Sequence, residues 1–399
     1  HVICESLKNS SKIKKIYCFP GNAGTANIAD NIVLNLESFE DLKNFILEEK
    51  IDLIIVGPEK PLVDGLVDYL EKFNIRVFGP SKIASQLEGS KIFTKQLCKK
   101  FNIPTAKFGI FQNKNDAKIF CKKSKYPTVI KADNLASGKG VYICHNENES
   151  NIAIDEIFNG KFGKAKNLLI EEFLQGEEMS FFTIHDGNIF KNFGTAQDHK
   201  RVLEGDKGKN TGGMGAYSPA PVVDQGCHNR IMAEVIQPTI HGLATDGLRY
   251  RGFLYAGIMV TADGTPKVLE FNCRLGDPET QPLLYRMESD LVDCCLLALN
   301  GKLKRTQLKW NPCTAISVVM AADGYPVKYK TGETIEGLDA DFNNTKVFHA
   351  GTQVRDGNTV TAGGRVLSVT SLGDTLTSAR KNVYQQMKKI QWNNCHYRH

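Results

Sequence analysis

The sequence lacks the cysteine patterns that mark metal sites and disulfide scaffolds. Its 399 residues include 11 cysteines, yet there is no CxxC pair and no His/Cys cluster at metal-ligand spacing. A zinc site of the finger or ribbon type and a small disulfide framework are thereby excluded. The pattern predicts reduced, buried thiols in a cytoplasmic protein.

Long apolar runs and a strong charge of one sign are absent as well. No apolar stretch approaches the roughly 20 residues of a membrane span, and the first residues do not form a signal peptide. The formal net charge is only +6, and basic runs such as Lys122–Lys125 are short. We therefore expect neither a membrane nor a nucleic acid as partner, whereas anionic small molecules suit this charge.

Two common nucleotide fingerprints are also missing. The chain has no GxxxxGK[ST] sequence, which excludes a Walker A phosphate loop. It also lacks a Rossmann glycine fingerprint with its acidic residue about 20 positions further on. Any nucleotide must therefore be bound by another arrangement.

What is present is an ordinary globular composition, 41% hydrophobic and 24% charged, in a chain long enough for several domains. Residues 1–89 alternate short apolar runs with amphipathic helical patterns, which predicts a doubly wound parallel sheet. Residues 90–305 change to an α+β pattern, and residues 306–399 form a smaller α+β unit. The chain opens on a helical pattern with no preceding strand, so we expect that a short N-terminal piece is missing.

The stretch Val129–Val141, VIKADNLASGKGV, combines a strand with a loop suited to phosphate. The strand delivers Lys131, and the loop that follows carries Lys139. Because Gly138 and Gly140 have no side chain, backbone N–H groups of the loop can approach phosphates closely. The lysines add compact positive charge. Taken alone, the stretch fits a surface turn equally well.

About forty residues later, Leu169–Ser180 (LIEEFLQGEEMS) has the features of an adenosine-binding hinge. An apolar strand ends in acidic residues and continues as an extended segment. Backbone atoms around Glu172–Leu174 can pair with the adenine edge, and Glu178 is the candidate acceptor for the ribose hydroxyls. A solvated acidic loop is the alternative for Glu178, since single glutamates are mostly exposed.

The most specific signal is ExNxR within Val268–Thr280, VLEFNCRLGDPET. On a strand, alternate side chains share a face, so Glu270 and Asn272 project together and Arg274 follows. A carboxylate and an amide oxygen form a site for Mg²⁺, which keeps water and nucleotide phosphates as further ligands. Arg274 can hold a carboxylate or a developing phosphate in a bidentate grip. A purely structural role is disfavoured because burying such groups unpaired costs several kcal/mol.

These residues carry a family resemblance. The order of Lys91, Lys131 with its glycine loop, the EEFL hinge and the ExNxR strand resembles the ATP-grasp superfamily. More narrowly, the chain is similar to the phosphoribosylamine–glycine ligases, also called glycinamide ribonucleotide synthetases, from His1 to its end. The blocks that carry this likeness are PGNAGT, VGPEKPL, IKADNLASGKGV, EEFLQGEEMSF, AQDHKRVLEGDKGKNTGGMGAYSPAP and EFNCRLGDPETQP.

The resemblance implies an architecture, cofactors and a set of site residues. Residues 1–89 form a substrate domain, 90–305 an ATP-grasp domain with a mobile lid at about 106–175, and 306–399 the C-terminal domain. Mg²⁺ or Mn²⁺ is the cofactor, ATP is a substrate, and the protein is a monomer or homodimer. The ATP site comprises Lys91, Lys131, Ser137, Gly138, Lys139, Gly140, Glu171, Glu172, Phe173, Leu174 and Glu178.

The resemblance also implies a two-step ligation, in which glycine is phosphorylated by ATP and glycyl phosphate then acylates 5-phosphoribosylamine. Arg274, Lys131 and Asp198 are the predicted catalytic residues, with Asp198 on an amine. Arg274 steadies the glycine carboxylate or the later oxyanion, and for His199 a structural role is as plausible as a catalytic one. The residues predicted to contact the sugar phosphate are Asn22, Gly24, Thr25, Glu59 (on the ribose), Lys200 and Arg365.

Three features depart from the family pattern. Family members begin with a strand and a GxGGRE turn that would precede His1, so one element of the sugar-phosphate site is not visible. The end, HYRH, looks clipped. The strand FLYAGIMV carries no acidic residue, so the metal site rests on Glu270, Asn272 and the nucleotide.

Alternatives remain open at this point. Another ATP-grasp ligase, such as a biotin-carboxylase-like or formate-using enzyme, would keep the nucleotide residues but lack the GNAGT, QDHKR and NTGGMGAYSP blocks. A nicotinamide oxidoreductase would need the missing Rossmann fingerprint. A non-enzymatic nucleotide sensor would not need the full Lys/Lys/Glu/Asn/Arg set.

Overall fold

The structure is a computed structural model that describes residues 1–35, 38–133, 140–163 and 166–399. Two compact units emerge from its contacts. The first unit comprises His1–Leu53, Ile189–Ala220 and Leu275–His399. The second unit comprises Ile54–Asn188 and Pro221–Arg274. The chain thus passes between the units more than once.

The described residues form helices along the whole chain, several of them capped by a polar side chain. They are α1 (Val2–Lys8), α2 (Phe39–Glu48), α3 (Glu59–Asp64), α4 (Leu66–Glu71), α5 (Gln86–Gly89), α6 (Lys91–Lys100), α7 (Lys114–Lys122), α8 (Glu147–Phe158), α9 (Gln225–Arg230), α10 (Gln237–Thr245), α11 (Thr280–Tyr285), α12 (Leu291–Leu299) and α13 (Leu376–Met387). A π-helical segment, Ile231–Ile236, joins α9 to α10. In the part of the chain that is described, no helix combines the length and apolarity needed to cross a membrane.

Strands are short in the first 100 residues and longer after them. They are β1 (Tyr17–Cys18), β2 (Asp30–Asn31), β3 (Ile54–Ile55), β4 (Val77–Phe78), β5 (Phe108–Phe111), β6 (Thr128–Ala132), β7 (Val141–Cys144), β8 (Leu168–Glu172), β9 (Glu177–Asp186), β10 (Phe190–Asp198), β11 (Arg201–Leu203), β12 (Lys207–Asn210), β13 (Gly215–Ser218), β14 (Arg251–Val260), β15 (Pro266–Asn272), β16 (Thr314–Ala321), β17 (Thr345–His349), β18 (Thr352–Arg355), β19 (Asn358–Thr361) and β20 (Arg365–Gly373).

The first unit is organised around antiparallel strands in the order β10-β13-β16-β20-β17. Helix α13 packs on β16 and β20, and its apolar residues share one core with theirs, including Val318, Val369 and Val383. A side-chain cap starts this helix, because Thr375 Oγ1 accepts the N–H of Ser378. The parallel pair β1 and β2 belongs to the same unit.

The second unit holds three groups of strands. β3 and β4 pair in parallel, as expected for a doubly wound sheet. β5, β8, β6 and β7 form an antiparallel sheet in that order, with α7 and α8 packed against its apolar face. β9, β14 and β15 are antiparallel. The sequence FLYAGIMVTADGTPKVLEFN predicts a hairpin that turns at Ala262–Gly264, and β14 and β15 form this hairpin with its turn at residues 262–263.

Most predicted elements are present, and the mixed α/β and α+β multidomain fold is confirmed. Two differences have a local cause. The pattern PLVDGLVDYLEKF predicts one helix, but the chain breaks into α3 and α4 at Gly65, whose φ of 99° lies in the left-handed region. Strands β9 and β10 were not predicted at all. The apolar residues of β9 stand in a run with little alternation, because this strand is buried on both faces from Met179 onwards. Strand β10, FKNFGTAQD, mixes polar and apolar residues and is mostly half-buried.

Candidate active site

The predicted phosphate lysine lies on a sheet of the second unit. β6 and β8 run antiparallel, with Lys131 opposite Leu169 and Val129 opposite Glu171. Because side chains alternate between faces, Lys131 and Glu171 are diagonal neighbours on the same face. The opposite face packs against α7 and α8. The sheet thus presents a lysine and a carboxylate on the face away from that core.

Glu171 lies between two lysines. Its Oε2 is 2.6 Å from Lys131 Nζ and its Oε1 is 2.6 Å from Lys95 Nζ, with only 3% of the Glu171 side chain exposed. Burial disfavours ionisation of this carboxyl, but the two ammonium groups outweigh burial and hold its pKa below the ordinary value. Burial lowers the pKa of Lys95, and Glu171 opposes that shift. That Glu171 contacts ATP stays a prediction, since its carboxylate is engaged by lysines here.

Lys91 starts helix α6, whose N-terminus is tied to β6. Ser90 caps the helix by accepting the N–H of Phe93 at 3.1 Å, and its hydroxyl donates to Asp133 Oδ1 at 3.0 Å. Burial lowers the pKa of Lys91, while the charge of Glu270 opposes this shift and that of Lys131 adds to it. Two of the three lysines predicted for the ATP site, Lys91 and Lys131, are therefore within electrostatic reach of each other, and Lys91 is within reach of the carboxylate predicted for the metal, Glu270.

The predicted metal residues lie on β15. Glu270 is opposite Gly257 and Asn272 opposite Tyr255, and the register shifts between Gly257 and Ile258. Such a bulge changes the direction of the neighbouring side chains and is common beside active sites. A Cβ on Gly257 would lie 3.1 Å from Glu270 Cγ, so this glycine makes room for the carboxylate. Sequence periodicity alone could not reveal the bulge.

A metal at this position fits the available donors only together with a nucleotide. Within the described ranges, which exclude 36–37, 134–139 and 164–165, no group of three or more His, Cys, Asp or Glu side chains could hold an ion. Glu270 and Asn272 provide oxygen donors, the type that Mg²⁺ prefers. They leave most coordination positions to water and phosphate oxygens, as Mg²⁺ requires.

Arg274 is held by two carboxylates of the second unit. Its Nε donates to Glu59 Oε2 at 3.2 Å and its Nη2 to Glu88 Oε1 at 2.8 Å. The other oxygen of Glu88 accepts the N–H of Cys273 at 2.7 Å. Burial raises the pKa of Glu88 to about 7, although Arg274 opposes this. Glu88 was not predicted, and Glu59, predicted for the ribose, contacts Arg274 here.

The other predicted nucleotide residues are only partly described. Ser137, Gly138 and Lys139 lie outside the described residues, whereas Gly140 is buried and its carbonyl accepts the N–H of Ala132 at 2.9 Å. In the hinge, Phe173 is exposed, Leu174 is buried, and Glu172 Oε1 accepts the N–H of Lys107 at 3.0 Å. Glu178 is half-buried on β9, opposite Met259. Their roles toward ATP stay predictions.

In the first unit, the turn PGNAGT is held by its own side chains. Asn22 Oδ1 accepts the N–H groups of Gly24 and Thr25 at 3.0 and 2.9 Å, and Asn22 Nδ2 donates to His349 O at 2.9 Å. Thr25 Oγ1 donates to Asn31 Oδ1 at 2.7 Å. The conformation of the turn is therefore held by hydrogen bonds within the protein, and its contact with the sugar phosphate stays a prediction.

The predicted residues Asp198 and Lys200 lie on either side of His199 in the QDHKR segment, also in the first unit. Asp198 ends β10 opposite Ala216, and Lys200 O accepts the N–H of Thr211 at 2.8 Å. Between them, His199 makes two backbone hydrogen bonds, and burial lowers the pKa of its ring. This environment favours a structural role for His199.

Arg365 forms hydrogen bonds to both the glycine-rich stretch NTGGMGAY (residues 210–217) and the GDPET turn (residues 276–280), all within the first unit. Its Nη1 donates to Gly212 O and to Asp277 O, both at 2.7 Å, and its Nη2 donates to Asp277 Oδ2 at 2.7 Å. The guanidinium therefore has protein partners on both branches. Its predicted contact with a phosphate stays a prediction.

Comparison with known proteins places this site in a family. Three family models match the chain, described as the N domain, the ATP-grasp (A) domain and the C domain of phosphoribosylglycinamide synthetase, over residues 1–88, 89–280 and 315–399. The phosphoribosylamine–glycine ligase of Vibrio parahaemolyticus is 47% identical over 403 residues, covering 100% of this chain and 94% of its own.

Solved structures agree with these matches. The crystal structure of phosphoribosylamine–glycine ligase from Thermotoga maritima has a TM-score of 0.87 and 32% identity, covering 99% of this chain and 96% of its own. The biotin carboxylase domain of 2-oxoglutarate carboxylase from Hydrogenobacter thermophilus, in complex with MgADP, has a TM-score of 0.77 at 18% identity. It covers 99% of this chain and 88% of its own, and at this identity it shows the shared fold alone.

The fold and the charged strand residues define an ATP-grasp ligase, a class that uses ATP and a divalent metal. Within that class, the chain belongs to the phosphoribosylglycinamide synthetase family, the phosphoribosylamine–glycine ligases. The predicted resemblance and the prediction of an ADP-forming ligase of purine biosynthesis are confirmed.

Proposed function

We propose that the chain joins glycine to 5-phosphoribosylamine in two steps. A carboxylate oxygen of glycine attacks the γ-phosphorus of ATP, the bond between that phosphorus and the bridging oxygen breaks, and ADP leaves. The amine nitrogen of phosphoribosylamine then attacks the carbonyl carbon of glycyl phosphate. The carbon–oxygen bond to phosphate breaks, the nitrogen gives up a proton, and glycinamide ribonucleotide and phosphate are released.

The observation that carries this proposal is the cluster of Lys91, Lys131 and Glu270 in the second unit, in a chain that matches a ligase family over its whole length. Phosphoryl transfer depends on neutralising charge and aligning the reactants, and needs no protein nucleophile. The buried Lys131 and the half-buried Lys91 can bind the phosphates strongly, because water screens their charges less than it does on the surface. Neither a cysteine nor a serine nucleophile is required by the proposed steps.

We assign the metal to Glu270 and Asn272, with Mg²⁺ preferred over Mn²⁺. Their oxygen donors and the coordination positions left to phosphate suit Mg²⁺. When bound, the metal neutralises charge on the transferring phosphoryl group. Gly257 gives the carboxylate its space, as its near contact with Glu270 indicates.

We assign the reacting carboxyl group of glycine to Arg274. Its guanidinium is oriented by Glu59 and Glu88, so no reorganisation is needed when negative charge develops on the bound group. The same residue can hold the carboxylate before phosphoryl transfer and the oxyanion after it. An arginine suits this task since its planar donors match a carboxylate.

For the second substrate, Asp198 would accept from the amine, Lys200 and Arg365 would contact the phosphate, and the Asn22 turn would contact the sugar. Asp198, Lys200 and the Asn22 turn occur in blocks similar to the family, which supports their assignment. Arg365 lies outside these blocks, but it donates a hydrogen bond to Gly212 O, which belongs to one of them. The lid at about 106–175 would exclude water from glycyl phosphate, which hydrolyses readily. The domain boundaries, a monomeric or homodimeric state and a cytoplasmic location belong to the same proposal.

The test is ADP release from Mg-ATP with each component omitted in turn. The full activity should require glycine and freshly prepared phosphoribosylamine, and Glu270→Ala should abolish it. Glu147→Ala, which removes an exposed carboxylate at the start of α8, is the matched control and should retain activity. ADP release that needs a different acid or amine would refute the substrate assignment and leave the ATP-grasp class intact.

A further inference from the structure

A line of buried polar contacts runs from the phosphate lysine to the metal strand. Lys131 contacts Glu171, and Glu171 contacts Lys95, with 2.6 Å between the charged atoms in both pairs. Lys95 Nζ also donates to Thr105 Oγ1, which in turn donates to the carbonyl of Val268 at 2.6 Å. All five residues belong to the second unit.

This line of contacts joins the strand proposed to bind the nucleotide phosphates, β6, to the strand proposed to bind the metal, β15. Lys131 is on β6 and Glu171 on β8, whereas Val268 lies on β15, two residues before Glu270. The N–H of Val268 also donates to Pro104 O at 2.8 Å, so the segment before β5 is fixed to the metal strand by its backbone. Lys95 is therefore the side chain that links the lysine–carboxylate pair to this strand.

Lys95 also determines how much positive charge Lys131 can offer. Glu171 alone would neutralise Lys131, since one carboxylate and one ammonium form a neutral buried pair. With Lys95 on the other oxygen, the three side chains carry a net charge of +1. Because only 2% of the Lys95 side chain and 3% of the Glu171 side chain are exposed, solvent screens this effect little.

We infer that Lys95 is a positioning residue that acts through Glu171 to keep Lys131 directed toward the nucleotide phosphates. Lys95 itself does not touch the substrate. It shares the carboxylate with Lys131, which holds the Lys131 ammonium in place without neutralising it. The inference rests on the proposed use of ATP, and it adds a residue that the sequence motifs did not identify.

The first measurement is the binding of MgADP to the full chain by isothermal titration calorimetry. Lys95→Met keeps the apolar length of the side chain and removes its charge. We expect the Kd to rise about tenfold, the order expected when one hydrogen bond to a charged group is lost. Lys99→Met, on the exposed side of the same helix, is the matched control and should bind as the wild type does.

Steady-state kinetics should show the same selectivity. The KM for ATP should rise by a similar factor in Lys95→Met, while the KM for glycine stays within twofold. Lys95→Arg, which restores a cation, should recover part of the loss. A double-mutant cycle with Glu171→Gln tests the route, because the two effects must be non-additive if Lys95 acts through Glu171.

A structural role would give a different result. If Lys95→Met lowers the melting temperature but leaves the Kd for MgADP within twofold of wild type, or if the two substitutions add, the inference is wrong. Should Lys95→Met fail to fold, Thr105→Val removes the other partner of Lys95 and should raise the Kd by a smaller factor. MgADP binding does not require turnover, so failure of the ligase assay would count against the proposed function alone.

Discussion

Glu88 links the electrostatics of the site to a measurable pH dependence. Its side chain is 6% exposed and contacts both Arg274 and the N–H of Cys273. Burial raises the pKa of its carboxyl from an ordinary 4.5 to about 7. The folded protein therefore binds a proton at Glu88 more tightly than the unfolded chain does.

The sign and size of the effect follow from this difference. The contribution to stability is fully present below pH 4.5 and is lost as the pH rises through 7, because only the folded state holds the proton in that interval. One pKa unit corresponds to about 1.4 kcal/mol, which gives about 3 kcal/mol in total. Between pH 5 and pH 8 the loss is about 2.5 kcal/mol.

Glu88→Gln removes the titration and keeps a side chain of the same size, but its single amide oxygen can replace only one of the two accepting oxygens. The lost hydrogen bond adds a cost that does not depend on pH. Urea unfolding followed by circular dichroism at pH 5, 6, 7 and 8 gives the difference in unfolding free energy between wild type and variant, in which other titrating groups cancel. From pH 5 to pH 8, the unfolding free energy of the wild type should fall by about 2.5 kcal/mol relative to that of Glu88→Gln. Glu177→Gln, at an exposed position, should show no shift. A constant difference for Glu88→Gln would refute the argument.

Three further substitutions test other parts of the structure. Gly257→Ala would place a Cβ 3.1 Å from Glu270 Cγ, and activity at limiting Mg²⁺ should fall about tenfold while the melting temperature changes little. Gly65→Ala should destabilise the chain by about 1–2 kcal/mol in urea, because φ is 99° where α3 meets α4. Arg286→Met removes hydrogen bonds to Ser218, Asn311 and Cys313 and should cost about 2–4 kcal/mol in the same assay; an unchanged midpoint would contradict the role of these bonds.

The sequence predicted those parts of the fold that are encoded locally. The stretch SKIFTKQLCKKF has a serine cap and apolar spacing, which predict the helix observed as α6. The β14–β15 hairpin has a polar turn between two apolar runs, which likewise predict it. Strand β9 was missed because burial on both faces removes the alternation that marks a strand. Strand β10 was missed because its sequence, FKNFGTAQD, mixes polar and apolar residues and most of them are only half-buried. The break at Gly65 was missed because one glycine in a helical pattern does not by itself show where a helix ends.

The candidate site also contains residues that the sequence could predict and residues that it could not. Glu270 and Asn272 stand on β15 and Arg274 follows two residues after its end, so their close spacing carries the signal. The charges of Glu270 and Lys131 both act on Lys91. Lys95 and Glu88 could not be found, because a single charged residue in a helical pattern usually marks a solvated face. Their importance arises only when distant segments meet in the folded chain, as Glu88 meets Arg274.

The most direct test of the proposed reaction follows the carboxylate oxygen of glycine. Glycine labelled with oxygen-18 in its carboxylate is incubated with the enzyme, Mg-ATP and phosphoribosylamine, and the inorganic phosphate is analysed by mass spectrometry. Because glycyl phosphate keeps the attacking oxygen when its carbon–oxygen bond breaks, one labelled oxygen should appear in phosphate for each turnover. Phosphate without the label would contradict the glycyl phosphate route.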